Sequence, residues 1–148
     1  QNGIQILLSG LVNKFKQMKL ESTKVSLDKS AQEVFNFLTS VKNFERLMPE
    51  TISKFKLIDS DTFLFALSGM PEIILKKKSM EAPHTIVLGA AGGKLDFSLI
   101  AKIDPLSETK SEVQLTFEGD FNAMMAMMIK APISKFIETL ALNIKKEI

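Results

Sequence analysis

Residues 123–148 read AMMAMMIKAPISKFIETLALNIKKEI, and the reading of this stretch decides the fold. Ile133, Phe136, Ile137, Leu140, Ala141 and Ile144 recur at offsets 0, 3, 4, 7, 8 and 11, which is one face of an α-helix. Extended backwards, the same wheel adds Ile129, Ala126 and Met125 to the stripe, while Met124, Met127 and Met128 fall off it. Pro132 removes an amide donor inside the segment, and Ala131 before it is biased away from α geometry. The spacing therefore predicts a long amphipathic helix that kinks or breaks near Lys130, with residues 122–130 forming a hinged, all-round apolar gate ahead of it. Four of the eight methionines fall in residues 124–128, and methionine is the side chain that adapts most readily to a variable guest.

What precedes the helix alternates. Leu95, Phe97, Leu99, Ala101 and Ile103 interleave with Asp96, Ser98, Ile100 and Lys102, and Val113, Leu115 and Phe117 interleave with Gln114, Thr116 and Glu118. A period of two marks strands with one face toward a core and one toward water. Similar strands are read at residues 19–27, from Thr51 through Phe55 and Leu57, at Phe63, Phe65 and Leu67, at Ile73 to Leu75, and at Ile86 to Leu88. Ser30 followed by Glu33 is a capping box that opens a short helix through Val34, Phe35, Phe37 and Leu38. A second helical turn carries Phe44, Leu47 and Met48 and stops at Pro49. Turns are read at residues 59–61, 69–71, 81–84 and 89–93.

The composition bounds the function. At 148 residues the chain is one domain with enough length for a sizeable core. A net charge of +2, from 19 basic and 17 acidic residues, is too balanced to suggest nucleic acid as partner. The lack of cysteine removes disulfides and thiolate chemistry and fits a cytoplasmic protein. All eleven aromatic residues are Phe, with no Trp and no Tyr, so any guest is expected to be greasy rather than polar. No stretch approaches the roughly 20 apolar residues of a membrane span. Residues 1–17 form an N-terminal extension in which Ile4, Leu8, Leu11 and Phe15 fit helical spacing. It lacks a signal peptide's basic start and cleavage site. It is expected to be a docking helix, a non-native leader or an over-long start, with a single domain over residues 18–148.

The order strand, two short helices, about six consecutive strands and a long final helix resembles the SRPBCC superfamily, the START-like helix-grip domains of lipid transfer proteins and polyketide cyclases. The resemblance covers about residues 18–148. It rests on residues 24–27, on Ser30-Ala31-Gln32-Glu33-Val34-Phe35-Asn36-Phe37-Leu38, on Asn43-Phe44 with residues 47–49, on the strand end at 117–119 and on the amphipathic last helix. Phe35 stands where a Trp is commoner. Within the superfamily, the glycine-rich turn and the passage from Leu115 to Ile137 are somewhat similar to the G-type subunit of carbon monoxide dehydrogenase. The resemblance implies an α+β helix-grip fold: a curved antiparallel sheet of about seven strands around a long C-terminal helix, with two short helices after the first strand.

Dedicated catalytic and metal chemistry is hard to find. The one histidine, His84, follows Pro83 and reads as an exposed hairpin residue, and no Gly-x-Ser-x-Gly elbow exists. Neither a Cys/His zinc set nor an acidic Ca²⁺ loop is offered, so no metal and no cofactor is expected. Residues 89–94 fail as a phosphate loop because positions 88 and 95 are both Leu. Asp59 and Asp61 read as turn chemistry. In the Lys76-Lys77-Lys78 run the faces alternate, so Lys77 is a candidate to meet an acidic head group at a chamber mouth. Its alternative is to snorkel past the rim.

The leading expectation is non-catalytic binding or transport of a hydrophobic small molecule (a lipid, quinone or polyketide-like guest) between sheet and helix. Its expected lining is Phe55, Phe63, Phe65, Phe97, Leu99, Leu115, Phe117, Met125, Ile129, Ile133, Phe136 and Leu140, with Lys77 at the mouth. Two rivals stand beside it. One is a cyclase or dehydratase using a lysine or carboxylate in an apolar pocket. The other is an interaction module, for instance a homodimer, using the methionine surface.

Overall fold

Ser30 opens the first helix as its spacing predicts. Its hydroxyl accepts from the Glu33 amide at 3.1 Å, and the Ser30 amide donates to the Glu33 carboxylate at 3.2 Å, which completes the reciprocal capping box. The computed structural model describes residues 16–92 and 96–148. In chain order these form β1 (Lys16–Glu21), β2 (Val25–Leu27), α1 (Ala31–Thr39), a 3₁₀ turn (Val41–Asn43), α2 (Phe44–Leu47), β3 (Ile52–Asp59), β4 (Thr62–Leu67), β5 (Ile73–Glu81), β6 (Thr85–Ala90), β7 (Phe97–Pro105), β8 (Ser111–Phe121) and α3 (Ala123–Glu147). The reading of residues 1–15 and of Leu95 lies outside the described residues.

The strands form one antiparallel sheet in the order β1-β8-β7-β6-β5-β4-β3, with β2 also paired to β8. The sheet has eight strands because residues 19–27, read as one strand, divide at Ser22–Lys24. There the Ser22 amide donates to the Leu115 carbonyl at 2.8 Å, and its hydroxyl accepts from the Leu115 amide at 3.0 Å. Alternation holds where it was sharpest. Phe97, Leu99, Ala101 and Ile103 on β7 and Val113, Leu115 and Phe117 on β8 are all buried on the inner face. Gly119 is required by close packing, since a Cβ there would lie 2.7 Å from the Asp96 carbonyl oxygen and 2.9 Å from the Phe97 Cβ.

α3 lays Ile129, Ile133, Phe136, Ile137, Leu140, Ala141 and Ile144 against this face, all buried. Of the kink or break expected near Lys130, the break does not occur: one helix runs from Ala123 to Glu147 with Pro132 inside it. An interior proline costs a helix about 3 kcal/mol. Burying Ile129 and Ile133 on either side returns about 1.5–3 kcal/mol each, so packing on the sheet outweighs the lost amide bond. The glycine turn is also shorter than read: β6 continues through Gly89 and Ala90, and Gly89 pairs with Ser98 on β7 and Lys76 on β5.

Thr116 lies on β8 between the buried inner-face positions Leu115 and Phe117 and is itself only 1% exposed. Among the described residues its hydroxyl has no hydrogen-bond partner. A buried, unpaired hydroxyl carries a desolvation penalty of about 1–3 kcal/mol. Thr116→Val, which keeps the branched shape, is therefore expected to raise stability by about 1 kcal/mol. A urea midpoint that falls in T116V would show that the hydroxyl is satisfied.

Candidate functional site

Two segments, residues 49–51 and the end of β4, converge beside the middle of α3. Pro49 ends α2 and starts the 49–51 link, where the Ile52 amide donates to the Pro49 carbonyl at 3.1 Å. The link is tied to the end of β4 by the Ser68 amide donating to the Thr51 carbonyl at 3.2 Å. α2 itself is fastened to the far end of α3. Asn143 Nδ2 donates to the Leu47 carbonyl at 2.8 Å, and Arg46 reaches both the Glu147 carbonyl at 2.9 Å and its carboxylate at 3.2 Å. The Asn122 side chain caps the start of α3 by accepting from the Met125 amide at 2.8 Å.

These segments enclose a half-open pocket of about 390 Å³. Pro49, Leu67, Pro132 and Phe136 supply its apolar surface, Thr51, Ser68 and Thr139 its hydroxyls, and Glu50 and Lys135 its charges. Phe136 is 5% exposed and anchors the pocket to the core. Its ring stacks on Phe65 at 4.9 Å, Phe65 meets Phe63 at 6.0 Å, and Phe63 stacks on Phe44 at 5.3 Å and Phe55 at 5.4 Å. A second group joins Phe97 to Phe117 at 5.1 Å and Phe117 to Phe121 at 5.9 Å.

The structure gathers the expected lining into a single core. Phe63, Phe65, Phe97, Leu99, Leu115, Phe117, Ile129, Ile133, Phe136 and Leu140 are buried together, with Phe55 and Met125 packed half-buried against them. Of these, Phe136 alone reaches the pocket surface. Lys77 does sit on the inner side of β5, but its ammonium is occupied. It donates to the carbonyl of Thr39, the last residue of α1, at 2.8 Å and lies 3.4 Å from the Asp61 carboxylate. It serves as a cation at a helix C-terminus and does not line the pocket. Sequence reasoning missed Glu50, Thr51, Ser68, Lys135 and Thr139. The signals available for this site were Pro49 and Pro132, the two prolines that both line it.

Met124, Met127 and Met128 are 74%, 82% and 64% exposed, in keeping with their place off the buried stripe. Met127 also borders a shallower groove of about 280 Å³ with Met18, Leu20, Ala126 and Lys130. His84 is exposed in the β5–β6 turn, where its amide donates to the Glu81 carbonyl at 2.7 Å. The Asp61 amide donates to the Asp59 carboxylate at 2.8 Å; that bond, more than the Thr62 contacts, lowers the Asp59 pKa. Among the described residues no group of three or more metal-ligating side chains comes together, and no helix is long and apolar enough to cross a membrane.

Glu138 fixes α3 against the β1–β2 link. Its two carboxylate oxygens accept from the Thr23 hydroxyl at 2.6 Å and the Thr23 amide at 2.8 Å. The hydroxyl and then the amide hold its pKa below the ordinary glutamate value. A carboxylate whose pKa is lower in the folded state stabilises above its unfolded value and stops doing so as pH falls through the folded one. Glu138→Gln is expected to lower the melting temperature at neutral pH. The difference from the parent should shrink as the pH drops toward about 2. A pH series of melts that keeps a constant gap would contradict this.

No family model matches the chain, and no curated protein matches it. Solved structures do. A point mutant of norcoclaurine synthase from Thalictrum flavum in complex with a transition state analogue superposes with a TM-score of 0.70 at 12% identity, over 89% of this chain and 94% of that one. A START superfamily protein from Mycobacterium smegmatis gives 0.66 at 13% identity, over 88% and 94%. A conserved protein from Geobacillus kaustophilus gives 0.64 at 14% identity, over 88% and 94%. Together with the sheet order and the long last helix, these likenesses establish a START-like helix-grip fold for this chain.

Proposed function

We propose that the protein binds a hydrophobic small molecule in the pocket between residues 49–51, the end of β4 and the middle of α3, as a carrier rather than as a catalyst. The observation that carries this reading is the pocket itself. Its volume of about 390 Å³ falls within the roughly 300–1,000 Å³ of small-molecule sites. Leu67, Pro49, Pro132 and Phe136 give it an apolar interior beside a few polar groups, the usual division between affinity and orientation. Each Å² of apolar guest surface withdrawn from water contributes roughly 25 cal/mol. Structural likeness to a synthase solved with a transition state analogue keeps a second reading in view, an enzyme acting on such a guest through Glu50 or Lys135. A lipid, a quinone or a polyketide-like molecule remains the class of guest.

Native mass spectrometry of protein purified from cells tests binding. The expected spectrum contains a monomer carrying one non-covalent small molecule. A dimer with no adduct would favour the methionine surface as an interaction site and count against carriage. Turnover of the recovered molecule by fresh protein would favour the enzyme.

A further inference from the structure

The sheet ends on two edge strands, β1 and β3, and they differ in how they meet another chain. β3 carries Lys54 and Lys56 on one face and a register shift toward each end of its pairing with β4. Lysines and bulges are what keep an edge from pairing with a neighbour. β1 pairs with β8 over all six residues without a shift, and among the described residues no strand pairs with its other side. Its exposed face carries Lys19 and Glu21, charges of opposite sign, while Met18 and Leu20 lie half-buried on the core side.

The free backbone groups of this edge follow from its neighbour. The Ser22 amide donates into β8, to the Leu115 carbonyl. Along an antiparallel ladder successive residues point their amides and carbonyls to alternate sides. Leu20 and Met18 therefore also turn toward β8, and the amides and carbonyls of Gln17, Lys19 and Glu21 point out of the sheet.

A second β1 laid antiparallel on this edge must keep core-side residues opposite core-side residues, which leaves three central registers. Lys19 opposite Lys19 sets like charges together. Met18 opposite Met18 leaves Glu21 facing no residue of the other β1. Leu20 opposite Leu20 places Lys19 of each copy against Glu21 of the other, twice, and lets those four residues exchange four backbone hydrogen bonds. This register is the one in which the edge complements itself. The exposed Met127 lies beside it, lining a groove with Met18, Leu20 and Ala126, so the same pairing withdraws apolar surface from water.

We propose that two copies of this chain associate about a two-fold axis through antiparallel pairing of their β1 strands at Leu20, with Lys19 of each facing Glu21 of the other and Met127 covered at the seam. The face shares no residue with the pocket beside residues 49–51, and the proposal is independent of what that pocket holds. A six-residue seam belongs with small, transient interfaces, and a dissociation constant on the order of 100 μM is expected. At the low micromolar concentrations of a native mass spectrum the chain is then monomeric.

Sedimentation of the full chain from about 10 μM to about 1 mM tests this, with the average mass expected to rise from monomer toward dimer. Lys19→Glu and Glu21→Lys are each expected to weaken association at least about tenfold, because each turns two attractive pairs into repulsive ones. The double variant K19E/E21K restores opposite signs and should restore the dimer. Lys19 also faces Glu118 on β8, whereas Glu21 faces Thr116, so E21K carries the test should K19E fail to fold. Met127→Glu should weaken association several-fold. In the parent, exchange of the Lys19 and Glu21 amides should slow as concentration rises, with Met18 and Leu20 indifferent to it. A chain that stays monomeric at 1 mM overturns the proposal. So does a dimer that both single reversals leave intact, which would use another face, and so does a folded double variant that stays monomeric. A monomer that binds phosphatidylcholine vesicles through Met127 would give this face to a lipid surface and overturns it as well.

Discussion

Phe63→Ala is expected to cost about 3–5 kcal/mol of folding stability, the largest effect of any single truncation considered. Phe63 is fully buried and stands at the centre of the ring cluster, in contact with Phe44, Phe55 and Phe65. Its loss combines three effects: the transfer free energy of the ring, the void left among neighbours that relax only in part, and three aromatic pairings worth about 0.5–1.5 kcal/mol each. The cluster leads through Phe65 to Phe136, so the pocket floor should loosen as well. Urea unfolding is the measurement, with a lower midpoint at an unchanged slope as the expected result. A loss below about 1.5 kcal/mol would mean that the neighbouring rings collapse into the space and that the cluster is not the keystone of the core.

Pro132→Ala is expected to act in the opposite direction. It restores the amide donor to the Met128 carbonyl inside an otherwise continuous helix. The intrinsic penalty of an interior proline is about 3 kcal/mol. Proline also restricts the unfolded chain, which returns about 0.4–1 kcal/mol, and the native helix has relaxed around the ring. A net gain of about 1–2 kcal/mol remains. Because Pro132 forms part of the pocket wall, the same change should weaken guest binding several-fold, a trade of function for stability. Thermal melts and a binding titration on one preparation check both halves. A P132A protein less stable than its parent would show that the ring's packing outweighs the helix bond it removes.

The parts of this protein that were legible in the sequence are those set by local chemistry and strict periodicity. The Ser30–Glu33 box, the stop at Pro49, the Asp59 turn and the buried stripe from Ile133 to Ile144 follow from neighbours three or four residues apart. The strands around Phe97 and Leu115 follow from a period of two. Three features escaped because partners distant in sequence decide them. Local rules break the helix at Pro132, but the sheet beneath Ile129 and Ile133 holds it together. Lys77 was visible as an inward lysine, yet its partners Thr39 and Asp61 lie 38 and 16 residues away. The pocket draws on residues 49–51, Leu67 and Ser68, and one face of α3, and no spacing within any one of these segments announces the other two. Periodicity showed which residues turn inward. It could not separate those that fill the core from the one, Phe136, that reaches the cavity wall.

The central claim is that the guest sits between residues 49–51, the end of β4 and the middle of α3. Backbone amide chemical shifts recorded while 2,6-dihydroxynaphthalene is added test it most directly. The expected result is saturable shifts at Thr51, Ser68, Lys135, Phe136 and Thr139, with the amides of Met18, Ala126 and Met127 unmoved. Shifts confined to that second group would place the guest on the methionine groove, and a spectrum unchanged throughout would leave the pocket without a ligand of this kind; either result contradicts the claim.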